Sequence, residues 1–119
     1  MEHCQFRKEG EYWTITYQGG GVVRMRETKG LDYISRILRD PGAKIHATEL
    51  SATRSGSGQN PEPAEAERAR QRISKAIKAA IQRIAEHDMA LGYHLSTAIR
   101  TGTFCSYNPD PTHPICWTF

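Results

Sequence analysis

Apolar and polar side chains alternate over the first part of the chain, and near residue 28 the apolar spacing changes to every third or fourth position. Residues 11–17, EYWTITY, alternate and are rich in aromatic and β-branched side chains, which favours a β-strand. Gln18 and three glycines follow, and glycine supplies the positive φ angles of a tight reversal. Residues 22–26 then form the return strand, so the sequence predicts an N-terminal β-hairpin.

A first helix is predicted after the hairpin. Apolar side chains recur there at helical spacing, at Leu31, Ile34, Ile37 and Leu38. Thr28 is suited to cap the start of this helix, and Pro41 with the following glycine ends it. Ile45 and Leu50 next predict a short strand and a helical turn. Residues 51–64, rich in Ser, Gly, Pro and Asn, predict a flexible loop inside one domain that spans residues 1–119.

Residues 64–86 form the clearest predicted helix, because good helix formers dominate and neither Gly nor Pro occurs between Ala64 and Gly92. At about 100° per residue, one face of this helix is apolar. Its members are Ile73, Ile77, Ile81 and Ile84. The opposite face is basic, and its members are Arg68, Arg72, Lys75, Lys78 and Arg83. We expect the isoleucines to pack on the core and the basic side chains to face solvent.

The C-terminal part predicts a short helix, a hairpin and a final strand. Residues 90–99 have the apolar spacing of a short helix that runs into an extended segment. Residues 99–107, IRTGTFCSY, predict a hairpin centred on Gly102, and residues 108–111 predict a turn. Residues 115–119 predict a strand that either pairs with the N-terminal hairpin or docks on a neighbouring molecule. This mixture of elements around one core predicts an α+β domain.

Composition is that of a single small globular domain. The 119 residues are 38% hydrophobic and 24% charged, which excludes a disordered chain. No apolar run approaches the roughly 18–20 residues of a membrane span, and the N-terminus lacks the apolar stretch of a secretory signal. Three cysteines, an odd number, indicate reduced thiols rather than a disulfide framework. We therefore expect a cytoplasmic domain without a membrane partner.

The net charge of +3 is small, but it is unevenly distributed. Residues 68–100 hold seven basic and two acidic side chains, so the net positive charge of this segment is larger than that of the whole chain. A basic surface concentrated on one element is typical of proteins that bind polyanions. A solvated helix face has the same composition, so the charge leaves both interpretations open.

Several segments resemble the winged-helix DNA-binding domain of OmpR/PhoB-type response regulators. Residues 22–50 contain DPGAKI at residues 40–45, where that family ends a helix in a Pro-Gly and begins an apolar strand. Residues 72–78, RISKAIK, resemble the start of the family's recognition helix, and residues 99–107 are similar to its closing wing. The family wing has a second glycine before its tyrosine, where this chain has Cys105 and a serine.

The chain also resembles a winged-helix-like module found at the C-termini of large bacterial regulators that carry ATPase or tetratricopeptide regions. Two blocks carry this resemblance, residues 9–50 and residues 76–111, and they cover most of the chain outside residues 51–64. Both resemblances imply a small single-domain winged-helix-like α+β fold, with the N-terminal β-hairpin and a C-terminal wing.

These resemblances and the basic face imply a DNA-binding module of a bacterial transcriptional regulator, with double-stranded DNA as its partner. Helix 64–86 would be the recognition element, and the wing around residues 99–107 would contact adjacent backbone. The expected contact residues are Arg68, Arg72, Lys75, Lys78, Arg83, Arg100, Thr101 and Thr103. The alternative is a protein-interaction or regulatory module that docks on an ATPase or repeat partner, or forms a homodimer through its apolar tail and hairpin, without binding DNA.

A group of Cys and His side chains near the C-terminus is a candidate metal or catalytic site. Its members are His94, Cys105, His113 and Cys116. The spacing of the last three lacks the paired C-x2-C of common structural zinc sites, so we expect no metal. Cys105 with a histidine lacks a third, orienting residue and an oxyanion site, so we expect neither an enzyme nor a cofactor.

Overall fold

The computed structural model describes residues 3–17, 21–51, 63–109, 112 and 115–119, and within these ranges the chain forms seven strands and four helices. The strands are β1 (His3–Glu9), β2 (Tyr12–Thr16), β3 (Val23–Arg26), β4 (Ile45–His46), β5 (Ile99–Arg100), β6 (Phe104–Tyr107) and β7 (Cys116–Thr118). The helices are α1 (Lys29–Leu38), α2 (Ala47–Ser51), α3 (Pro63–His87) and α4 (Met89–Ala98). The predicted α+β class is therefore confirmed.

The N-terminal sheet has the strand order β3-β2-β1-β7. The predicted hairpin is present as β2 and β3, but a further strand, β1, precedes it and pairs antiparallel with β2. Cys4 and Phe6 are alternate residues of β1 whose side chains are buried in the core, although their polar and charged neighbours conceal this pattern in the sequence. The final strand β7 pairs in parallel with β1, which makes the C-terminal segment part of this sheet.

The second sheet is small and has the order β4-β6-β5. Strands β5 and β6 form an antiparallel pair that we call the C-terminal hairpin. Two further backbone bonds hold this hairpin against the first half of the chain. The Gly42 N–H donates to the Tyr107 carbonyl at 2.8 Å, and the Ala47 N–H donates to the Thr103 carbonyl at 2.9 Å. The start of α2 is thereby fixed beside the turn of the hairpin.

Helix α1 begins and packs as its sequence predicts. Thr28 has extended dihedral angles, and its side chain accepts a hydrogen bond from the Leu31 N–H at 3.3 Å, which caps the helix. The predicted apolar stripe is buried, and it packs with the inner faces of the N-terminal sheet and α3 in one core.

Helix α3 packs against α1, α2 and α4, and its apolar face is buried as predicted. Ile73, Ile77 and Ile84 are fully buried, whereas Ile81 lies half-buried at the edge of the core. Each helix in the described part of the chain is too short or too polar to cross a membrane.

The contact between α1 and α3 depends on a glycine. A Cβ atom added at Gly30 would lie 2.8 Å from the Ala76 carbonyl carbon and 2.9 Å from the Ala80 Cβ. Real Cβ atoms do not approach this closely, so either helix would have to move.

We predict that Gly30→Ala lowers the free energy of unfolding by about 1–3 kcal/mol, because it overpacks this helix contact. Urea denaturation followed by circular dichroism measures the change. Gly21→Ala is the matched control, since a Cβ atom there meets nothing within 4 Å and its backbone needs no positive φ. An unchanged urea midpoint for Gly30→Ala would contradict the close packing.

Candidate nucleic-acid interface

The predicted basic face of α3 is present and exposed. All of its members lie in solvent, namely Arg68, Arg72, Lys75, Lys78 and Arg83. The ion pairs found among the described residues join Lys8 to Glu27, Arg36 to Asp32 and Arg70 to Glu67, so they leave these five cations unpaired. We call these five residues the basic face.

Arg70 differs from the other basic residues of α3 and lies outside the basic face. It is half-buried on the isoleucine side, and its Nε donates to a Glu67 carboxylate oxygen at 3.0 Å. This hydrogen bond and the charge of Arg70 lower the pKa of the Glu67 carboxyl. Arg70 is therefore engaged within the helix and adds little free positive charge to the basic face.

The basic face has a length suited to a nucleic-acid backbone. At about 1.5 Å per residue, Arg68 and Arg83 are separated by roughly 22 Å along the helix axis. Phosphates of one DNA strand follow each other by about 3.4 Å along the duplex axis, so a surface of this length is long enough to span several of them. Glu86 is also exposed, and it ends the positive stretch near the C-terminus of α3.

Two glutamines lie on the same side of α3 as the basic face, and the charge pattern of the sequence does not reveal them. Gln71 and Gln82 are exposed between the cations, and the Gln71 side chain donates to Glu67 at 3.2 Å. Glutamine amides can bond the edge of adenine in the major groove. The helical wheel puts Gln71 and Gln82 on the same side as the basic residues. Their position in the sequence was therefore enough to predict that they lie on this surface.

The C-terminal hairpin carries the remaining predicted contact residues. Arg100 and Thr103 are exposed, whereas Thr101 is half-buried. Thr101 lines the same groove as Lys78 and so lies at the edge of α3. The structure thus brings one of these three hairpin residues to α3, and it leaves the other two exposed on either side of Gly102.

The cluster of Cys and His residues is divided by the structure. Cys105 is fully buried in β6, and burial raises the pKa of its thiol, which favours the protonated, less nucleophilic form. His113 and the Cys116 side chain lie outside the described residues. Among the described side chains, no group of three or more His, Cys, Asp or Glu is placed to hold a metal ion.

His94 instead belongs to an aromatic cluster that joins α4 to both sheets. Its Nε2 lies 2.7 Å from the Tyr107 hydroxyl oxygen, which also accepts a hydrogen bond from the Trp117 indole N–H at 3.1 Å. The Tyr17 ring stacks on His94, with ring centroids 5.4 Å apart. Burial lowers the pKa of His94 and raises the pKa of Tyr107 to about 12, which favours the neutral form of both side chains.

Comparisons with protein-family models, curated proteins and solved structures found no match to this chain.

We predict that the aromatic cluster makes stability pH-dependent below neutrality. Because the pKa of His94 is lower in the folded chain, the unfolded chain takes up a proton first as the pH falls through the ordinary histidine range near 6.5. The free energy of unfolding should therefore fall between about pH 7.5 and pH 5, and it should fall less in His94→Gln. Urea denaturation across this range tests the difference; parallel curves for the two proteins would refute it.

Proposed function

We propose that this chain is a DNA-binding module of the winged-helix type that acts in bacterial transcriptional control. The observation that carries the proposal is the basic face, five exposed cations without ion-pair partners among the described residues, set opposite a buried isoleucine stripe. A cationic row on a rigid helix is suited to dock along a phosphate backbone.

The order of elements supports the same proposal. A helix, a short strand, a second helix, the long α3, the short α4 and a C-terminal hairpin follow one another, which is the order of predicted elements that resembles a winged-helix domain. The short strand β4 pairs with β6 of the hairpin, so the sheet links the segments before and after the long helix. Helix α4 stands between α3 and the hairpin, where the sequence predicts a short helix.

The proposed binding mode assigns separate roles to the exposed side chains. Arg72, Lys75 and Lys78 would neutralise phosphates and release their counterions. Gln71 and Gln82 would supply hydrogen bonds to base edges where α3 enters the major groove. Arg100, Thr101 and Thr103 would contact the backbone beside it, through the C-terminal hairpin.

We predict that the double variant Lys75→Ala/Lys78→Ala binds duplex DNA at least roughly tenfold more weakly than the wild-type chain in low salt. Its dependence of log K on log salt should also flatten, by about 0.9 for each phosphate that the variant no longer neutralises. Fluorescence anisotropy with a labelled random-sequence duplex, titrated over a range of salt concentrations, measures both quantities.

The matched control is Arg7→Ala/Lys29→Ala, which removes the same charge from exposed positions on β1 and α1 that take part in none of the ion pairs among the described residues. The control should bind like the wild-type chain. Equal weakening in both double variants would mean that total charge, rather than the basic face, attracts DNA. Absence of binding to any duplex at low salt would refute the proposed function.

The alternative, a homodimer or a docked regulatory module that uses the apolar tail, receives less support. The Trp117 ring packs on Phe6 and Tyr17 of its own chain, with centroids 6.0 and 6.2 Å apart. The guanidinium of Arg39 lies over the Phe119 ring, 5.0 Å from its centroid. These contacts engage the rings of Trp117 and Phe119 within the chain, although Phe119 stays 38% exposed.

A further inference from the structure

A groove lies between α3 and α4 and reaches the first strand of the C-terminal hairpin. It has a volume of about 480 Å³ and is open to solvent. Helix α3 contributes Ile77, Ile81 and Ala85 to its wall, and α4 contributes Met89, Tyr93 and Ser96. The lining is mainly apolar, so water in the groove gains few hydrogen bonds from it.

Two large apolar side chains stand exposed on the α4 side of this groove. Met89 is 80% exposed and Tyr93 is 71% exposed. Apolar side chains scattered singly over a surface are ordinary, but these two line one concave surface together with the half-buried Ile81. A contiguous apolar groove of this kind marks an interaction site.

The charge at the groove selects the partner. Lys78 is the one charged side chain among the described residues that line it, and it is exposed. On the helical wheel Lys78 lies at the edge of the basic face, with Lys75 one turn before it. An occupant with a carboxylate at this edge would pair with Lys78, whereas a basic occupant would be repelled.

The shape of the groove favours a helix as occupant. From Ile77 to Ala85 it runs about 12 Å along α3, which matches apolar anchors at positions i, i+3 or i+4, and i+7 of a docked helix. Strand β5 beside it has two residues and is too short to template an added strand. A second copy docked groove to groove by two-fold symmetry would place Lys78 of both copies in one interface, with no carboxylate from the described lining to pair with either, and their like charges would oppose it.

We propose that this groove binds an acidic amphipathic helix of a partner protein, with its apolar anchors between α3 and α4 and a carboxylate at Lys78. The proposal does not depend on DNA binding, because the peptide measurements that test it are made without nucleic acid.

The probe is a displayed library of helical peptides of about 14 residues, the length that carries anchors through position i+7 and its flanks. Leucines stand at the anchor positions, and the flanking positions vary among Glu, Lys and Ser. Selection on the intact chain should enrich Glu over Lys. The enriched peptide is then synthesised, and its affinity is measured by fluorescence anisotropy.

Two variants of α4 separate groove binding from non-specific adhesion. Ser96→Trp fills the groove and should weaken peptide binding by about tenfold or more. Thr97→Trp is the matched control, because Thr97 is also exposed on the same helix but does not line the groove. It should change the affinity less than about twofold. Circular dichroism checks that both variants fold.

A charge exchange tests the role of Lys78. Repeating the selection on Lys78→Glu should enrich Lys over Glu, which reverses the wild-type preference. The proposal is overturned if no peptide is enriched, if Lys78→Glu leaves the preference unchanged, or if Ser96→Trp and Thr97→Trp weaken binding equally. It is also overturned if light scattering finds a dimer of the wild-type chain that Ser96→Trp dissociates, since a second copy would then occupy the groove.

Discussion

The close packing of α3 against its neighbouring helices is the constraint on which the rest of the structure depends. Gly30 lets α1 approach the α3 backbone near Ala76, and Gly92 brings α4 to Ala85, where an added Cβ would lie 2.6 Å from the Ala85 Cα. Buried isoleucines fill the space between these contacts. A helix held on its inner sides must turn its remaining face to solvent, and that face is basic.

The parts of this arrangement that follow from local periodicity could be predicted from the sequence. The isoleucines at helical spacing predict α3 and its basic side, and Thr28 predicts the start of α1. Strand β1 escaped prediction because Cys4 and Phe6 are its buried apolar residues and the residues on either side of them are polar or charged. Its position depends on pairing with β2 and β7, and β7 lies at the opposite end of the chain.

The groove escaped prediction for a related reason. Its α3 wall is predictable from the helical wheel, but its depth depends on how closely α4 approaches, and that is set by Gly92 against Ala85. Taken alone, Met89 and Tyr93 are ordinary residues of a short helix. They indicate an interaction surface only because the fold leaves both exposed beside the half-buried Ile81. Such a surface depends on tertiary geometry that local sequence does not encode.

The aromatic cluster explains how two small sheets and α4 hold these surfaces in place. Tyr107 in β6 bonds His94 of α4 and Trp117 of β7, so one hydroxyl joins the C-terminal hairpin, the helix and the N-terminal sheet. This junction adds to the backbone bonds that hold the hairpin and to the packing of α4 on α3. Lys78 of the basic face and Thr101 of the C-terminal hairpin both line the groove. The groove and the basic face therefore share Lys78, and the position of α4 determines the shape of the groove beside it.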